Sequence, residues 1–228
     1  MHETSENHIH HRILEDNEQL ARENLNQWNE RNSLTINFMS APGAGKTTLI
    51  AEVAKRLKSR HSLCVIEGDM VGDLDAKRIR EVGVPSYQIT TGRSCHLDAA
   101  MIARLLHSGS IPACDAVFIE NVGNLVCPAE FPLGEHLRIV LLSVTEGDDK
   151  PLKYPVIFHN CDAVVLTKTD LLEHVDFDLN RVERAIRGLN ADAKLFGLSA
   201  KNGSGLEEFL AFLEESLVKK GREQAAPL

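Results

Sequence analysis

The sequence predicts an α/β fold in which a mostly parallel sheet of about seven strands is flanked by helices. Three observations predict it. Strand-like and helix-like segments alternate along the chain. Several strand segments, such as Val-Val-Leu and Ile-Val-Leu-Leu, are continuously apolar, as strands covered on both faces require. A glycine-rich loop stands between the first strand and the helix that follows it.

Taken in order, residues 1–11 read as a flexible tail carrying His2, His8, His10 and His11. Over 12–31, Ile13, Leu14, Leu20, Ala21, Leu25 and Trp28 recur at spacings near three and four, which predicts an amphipathic helix. Leu34, Ile36 and Phe38 alternate as a strand, and Leu49, Ile50, Val53, Ala54 and Leu57 mark a helix beyond the glycine loop. Further strands are expected at 63–67, 86–90, 115–120, 138–144, 163–167 and 194–199, and helices at 73–82, 97–108, 178–189 and 205–220. Residues 32–220 form one domain, and 221–228 read as a frayed end.

Composition narrows the function. The chain has 228 residues with 43% hydrophobic content, enough for a sizeable core, and its net charge of −8 disfavours a nucleic-acid partner, which needs a basic face. No apolar run approaches the ~20 residues that span a bilayer, and the start of the chain lacks the apolar centre of a signal peptide. A soluble, cytoplasmic protein with no membrane partner is expected. Five cysteines without a CxxC pair argue against a disulfide framework.

Residues 40–47, Ser-Ala-Pro-Gly-Ala-Gly-Lys-Thr, match the phosphate-loop pattern G-x-x-x-x-G-K-[ST] except that Ser40 takes the first glycine position. Gly43, Ala44 and Gly45 can turn backbone N–H groups toward phosphates. Lys46 can reach the β/γ-phosphates, Thr47 can offer its hydroxyl to Mg²⁺, and Thr48 continues the loop into the helix. Asp69 and Glu120 follow strands, where acids complete such a site, and Asp75 opens a helical pattern. Each is a candidate for holding Mg²⁺ or orienting an attacking water, the alternative being a solvated loop acid or a helix cap.

Thr167-Lys168-Thr169-Asp170 resembles the [N/T]KxD motif of GTP-binding proteins, in which the carboxylate accepts from guanine N1–H and the 2-amino group. Adenine lacks these donors, and each buried polar group left unpaired costs about 1–3 kcal/mol. Ser199-Ala200-Lys201, at another strand end, matches the second guanine loop of that class. GTP is therefore the expected nucleotide, with in-line attack of water on the γ-phosphate and Lys46 stabilising the charge.

Cys95-His96 and Cys127 form a further candidate group. Two thiolates and an imidazole suit Zn²⁺ or Ni²⁺, although their spacing matches no zinc finger and burial of the cysteines is the alternative. Cys64, Cys114 and Cys161 read as structural.

CHLDA, ENVGNLVCPAEF, SAPGAGKTT, EGD, KPLKYP and TKTDL occur in an order that resembles the hydrogenase nickel-incorporation GTPases of the HypB type, from about residue 10 to about residue 220. The resemblance implies a P-loop NTPase fold and a GTPase that forms a homodimer when GTP is bound. It also implies a nickel or zinc site at the dimer interface built from Cys95, His96 and Cys127 of each subunit. The implied role is delivery of Ni²⁺ to [NiFe]-hydrogenase, with a maturation accessory protein and the hydrogenase large subunit as partners. The N-terminus departs from relatives that carry a CxxCGC motif or a long His-rich stretch; its four histidines read either as a weak metal-binding tail or as a solvated one. Two alternatives differ in class: a urease-type nickel accessory GTPase, disfavoured because Ala129 stands where Cys-Pro-His requires His, and a non-catalytic metal-binding scaffold with a vestigial phosphate loop.

Overall fold

The computed structural model of the protein describes residues 2–70, 72 and 74–225. Seven parallel strands form one sheet: β1 (Leu34–Ser40), β2 (Leu63–Asp69), β3 (Ser86–Thr90), β4 (Ala116–Glu120), β5 (Leu137–Ser143), β6 (Ala163–Thr167) and β7 (Lys194–Gly197). Their spatial order is β3-β2-β4-β1-β5-β6-β7, so β2 and β3 step outward on one side, β4 returns to fill the place between β2 and β1, and β5 to β7 step outward on the other side. Both faces of the central strands are covered, which is why Val117–Ile119, Ile139–Leu142 and Val164–Leu166 are apolar runs, while β1 buries Thr35 and Asn37 among its apolar residues.

The period of two along each strand sorts residues between the faces. Leu34, Ile36, Phe38, Val65 and Phe118 pack against α2 (Lys46–Leu57) and α9 (Leu206–Ala225). On the opposite face, Met39, Val140 and Leu142 meet α7 (Pro155–His159) and α8 (Leu179–Leu189). Cys64, Ile66, Val117 and Ile119 meet α4 (Ala99–His107) and Trp28 of α1 (His2–Glu30). The remaining helices are α3 (Leu74–Glu81), α5 (Cys127–Glu130) and α6 (Lys150–Lys153).

Two readings of the sequence change. The helix expected from residue 12 begins at His2, because neither Gly nor Pro interrupts residues 2–30; it stops where Asn32 adopts a left-handed φ of 54°. The last helix runs to Ala225 rather than to 220, and residues 226–228 lie outside the described residues. Residue 73, where the helix expected over 73–82 begins, also lies outside them. The short helices α5, α6 and α7 have too few turns for a periodic signal, and each carries Pro in its first turn, where a missing N–H costs nothing. Among the described residues no helix is long and apolar enough to cross a membrane.

The buried stripe of α1 also differs from the apolar pattern. Over residues 11–30 its buried residues are Asn17, Ala21, Asn24 and Trp28, whereas Ile13 is exposed. Two asparagines thus occupy the centre of the stripe that the spacing of Leu20, Ala21, Leu25 and Trp28 defines, where apolar residues are expected.

Candidate functional site

The carboxyl ends of β1, β2, β4 and β6 open onto one cleft, where ligands of open parallel sheets bind. Its phosphate side has a volume of about 610 Å³ and is lined by Gly43, Lys46, Thr47, Asp69, Asp75 and Glu120. Gly43 and Gly45 hold φ of 77° and 96°, conformations that a side chain disfavours and that curl the loop around an anion.

Lys46 is buried, with Nζ donating to Ser40 Oγ at 3.0 Å. The serine at the first glycine position therefore positions the loop lysine. Burial pulls the Lys46 pKa below its ordinary value, opposed by the charges of Glu120, Asp75 and Glu146. Thr47 Oγ1 donates to Glu120 Oε1 at 2.7 Å. Burial pushes the Glu120 carboxyl up to about 7, against Lys46 and the Thr47 bond, which favour its ionised form. Both Asp69 oxygens accept from loop amides, Oδ1 from Met70 N at 2.6 Å and Oδ2 from Gly72 N at 3.2 Å. Asp75 lies in the first turn of α3, 3.5 Å from Arg78.

Sequence reasoning missed Glu67. It pairs in register with Glu120 across β2 and β4, is 3% exposed, and has its carboxyl pushed up to about 8 by burial and then by the charges of Glu120 and Asp75. Glu67 Oε1 and Glu120 Oε2 are buried with no hydrogen-bond partner. Two orphaned acceptors facing a phosphate cleft fit a hard cation or its waters, and Thr47, Glu120 and Asp69 are the side chains that can hold Mg²⁺ there. The signal was present: period two places Glu67 and Asp69 on one side of the strand.

The base side of the cleft, about 250 Å³, is lined by Ala44, Thr48, Lys168, Asp170, Ser199, Ala200 and Lys201. Thr167 Oγ1 donates to Ala44 O at 2.7 Å and Lys168 Nζ to Gly43 O at 2.8 Å, so the base loop is fastened to the phosphate loop. Lys168 adopts a left-handed φ of 59°, which turns the chain into the 3₁₀ turn Thr169–His174 that carries Asp170. Threonine at the first position of this motif works by gripping the phosphate loop itself.

Beside the cleft, one ligand atom each from Cys95, His96 and Cys127 lies within 4.8 Å of the others. Cys95 Sγ is 3.1 Å from Cys127 Sγ and 3.8 Å from His96 Nδ1. With metal–sulfur bonds of about 2.3 Å, such a group can close on one ion with little movement. Burial lowers the His96 pKa, keeping the imidazole neutral as a ligand must be; its ring lies 4.1 Å from that of Phe131. Without metal, the Cys127 thiol is pushed up, first by its bond with Cys95 and then by burial.

Two further residues that the sequence reading left unassigned join this group to the cleft. Asn121 Oδ1, directly after Glu120, accepts from Leu97 N at 3.1 Å, and Asn124 Nδ2 donates to Cys95 O at 3.3 Å. Lys150 lies over the Tyr154 ring and Lys153 pairs with Asp149 at 2.5 Å. Cys64, Cys114 and Cys161 are buried and free of disulfides.

A phosphate loop at the first strand of a parallel sheet, with two base loops at the far strand ends, defines a P-loop GTPase. Residues 34–197 match the family described as CobW/HypB/UreG, nucleotide-binding domain. The hydrogenase maturation factor HypB of Azotobacter chroococcum mcd 1 is 47% identical over 202 residues, 89% of this chain and 66% of its own length, so the chain spans just under two thirds of that relative. Among solved structures, HypB from Helicobacter pylori in complex with nickel superposes with a TM-score of 0.83 at 41% identity, covering 90% of this chain and 96% of that one. HypB from Archaeoglobus fulgidus gives 0.83 at 40% identity over 89% and 98%. The chain belongs to the HypB hydrogenase maturation factors of the CobW/HypB/UreG family.

Proposed function

We propose that this protein is a GTP-hydrolysing nickel metallochaperone of hydrogenase maturation, in which the state of the nucleotide is read by a metal site that holds Ni²⁺ as cargo. The observation that carries this reading is the connection from Glu120 to the metal ligands: Asn121 and Asn124 bond the backbone at Leu97 and Cys95, and Cys127 ends the same segment. A shift of Glu120 when the γ-phosphate leaves is thereby passed to both thiolates. The nickel in the Helicobacter pylori relative and the soft Cys/His ligand set support the choice of ion; Zn²⁺ suits the same ligands.

In this reading Lys46 neutralises charge developing on the γ-phosphate, and Asp75, at the mouth of the cleft, orients the attacking water. Thr47, Glu120 and Asp69 hold Mg²⁺, which neutralises phosphate charge when bound. Asp170 selects guanine, with Lys168, Ser199, Ala200 and Lys201 around the base. Three ligands from one chain leave the ion short of four, so a second copy completes the site in a GTP-bound homodimer. Exposed Val126, just before α5, Leu152 in α6 and Val156 in α7 provide apolar area for that contact. The accessory protein and the hydrogenase large subunit are the partners, in the cytoplasm.

The test is a nickel titration with GDP and with a non-hydrolysable GTP analogue, alongside phosphate release and light scattering. Different nickel affinities in the two states, a larger particle with the analogue and no phosphate release by Lys46→Ala support the proposal. Equal nickel affinities would remove the coupling.

A further inference from the structure

The two asparagines buried in α1 have no counterpart in the nucleotide chemistry, and each makes the same kind of connection. Asn17 Oδ1 accepts from Ala99 N at 2.8 Å while its Nδ2 donates to Pro132 O at 2.9 Å. Asn24 Nδ2 donates both to Ala99 O at 2.9 Å and to Leu133 O at 3.0 Å. One end of each bridge is the first residue of α4, just after Cys95 and His96. The other is the loop just after α5, the helix that begins with Cys127. The two arms that carry the metal ligands are therefore cross-linked twice, by side chains from a helix that contributes no ligand.

The contact between α1 and the second arm is as close as backbone allows. A Cβ on Gly134, which holds a φ of 91°, would meet Ala21 O at 2.4 Å and Asn24 Cβ at 2.7 Å. Phe131, between Cys127 and this contact, carries the ring that lies against His96. Buried asparagine amides cost stability unless their hydrogen bonds are made, and an apolar residue would serve simple packing better; Asn24 even leaves its Oδ1 without a partner. What the amides provide is registration: two fixed hydrogen-bonding spans across the gap between the arms.

We propose that Asn17 and Asn24 are positioning residues of the Cys95/His96/Cys127 site, setting the separation of the thiolates through the backbone at Ala99 and at Pro132 and Leu133. The inference rests on the reading that this group binds Ni²⁺, and it adds α1 to the metal site. Nickel affinity then depends on a helix outside the nucleotide fold, while the cleft, joined to the metal arms through Asn121 and Asn124, does not contact these asparagines.

The experiment uses the full chain and Ni²⁺ itself. Nickel affinity is measured by competition with a chelator, the thiolate-to-nickel charge-transfer absorption is recorded, and GDP affinity and melting temperature are measured in parallel. Asn17→Ala and Asn24→Ala are expected to weaken nickel binding by about 10-fold or more, the range of outer-shell losses, and to alter the absorption band, with GDP affinity within about twofold of the parent. Asn17→Asp keeps the acceptor for Ala99 N but loses the donor to Pro132 O, and is expected to alter the band by releasing one arm only; at the less confined end of the stripe, it provides a folded variant if Asn24→Ala does not fold. Parental nickel affinity and absorption in the folded variants would overturn the proposal, as would an equal loss of GDP and nickel binding, which marks a general loss of structure. If Cys127→Ala binds nickel as the parent does, the reading of the trio fails instead, and the two failures are told apart.

Discussion

Glu67 and Glu120 stand in register on adjacent parallel strands, both buried at the phosphate end of the cleft, and each has an oxygen with no hydrogen-bond partner. Their carboxyls, pushed up to about 8 and about 7, bind protons in the metal-free fold that the unfolded chain has already lost at neutral pH. The pair therefore takes stability away as pH rises from the ordinary value of 4.5 toward 8. Glu67→Gln is expected to raise the melting temperature of the metal-free protein by several degrees at pH 8, since ~1 kcal/mol moves a domain of this size by about 2–4 °C. It should also flatten the pH dependence and slow Mg²⁺-dependent GTP hydrolysis at least tenfold. A lowered melting temperature with unchanged hydrolysis would contradict this account of the pair.

Asp170 lines the cleft beside Ser199, Ala200 and Lys201, where a carboxylate can accept from the two donors on guanine. In Asp170→Asn one acceptor becomes a donor facing a donor. A loss of about 10–100-fold in GTP affinity is expected, corresponding to about 1–3 kcal/mol, with a relative gain for xanthosine triphosphate, whose C2 carbonyl accepts. Competition binding with GTP, ATP and XTP measures it; unchanged preference would remove Asp170 from base selection.

Cys127 lies 3.1 Å from Cys95, sulfur to sulfur, and within ligand distance of His96. Cys127→Ala should abolish stoichiometric nickel binding to this group and eliminate the thiolate-to-nickel absorption, while GTP binding is retained, since Cys127 does not line the nucleotide cleft. Metal analysis of the purified variant with and without GTP reads this out. Undiminished nickel would take Cys127 out of the ligand set.

His136 joins three elements: its Nδ1 lies 2.7 Å from Thr35 Oγ1 on β1 and its Nε2 3.0 Å from Asn29 Oδ1 on α1, with Lys220 of α9 adding repulsion. Burial and that lysine lower its pKa from 6.5 to about 4. The unfolded chain thus binds the proton first as pH falls, so the native state loses stability between about pH 6.5 and pH 4 and has its full contribution above 6.5. In His136→Gln the melting temperature should be lower at pH 7 through lost hydrogen bonds, but the decline over that window should be shallower. Parallel curves for parent and variant would assign the acid sensitivity elsewhere.

Much of this molecule is written locally. Period two over Leu34, Ile36 and Phe38, the continuous apolar strands, Gly43 to Thr47, the Lys168/Asp170 pair and Ser199 to Lys201 each specify a conformation or a chemistry within a few residues, and they sufficed for the sheet, the phosphate loop and guanine. The near end of α1 and helix α5 were illegible because polar sequence is compatible with both helix and tail, and one turn has no period.

What the sequence by itself determined, then, is the order of the strands and longer helices and most of the side chains that line the cleft. Only the tertiary structure decided which of them meet. The strand order placed Glu67 beside Glu120, although 53 residues separate them along the chain, and folding brought Cys95 to Cys127 across 32. It also set the polar side chains of Asn17 and Asn24 in the interior, bonded to the segments that follow Cys95 and Cys127. The physical reason is that the cost of burying an amide or a carboxylate is set by what faces it, and the facing groups belong to segments far away in the chain.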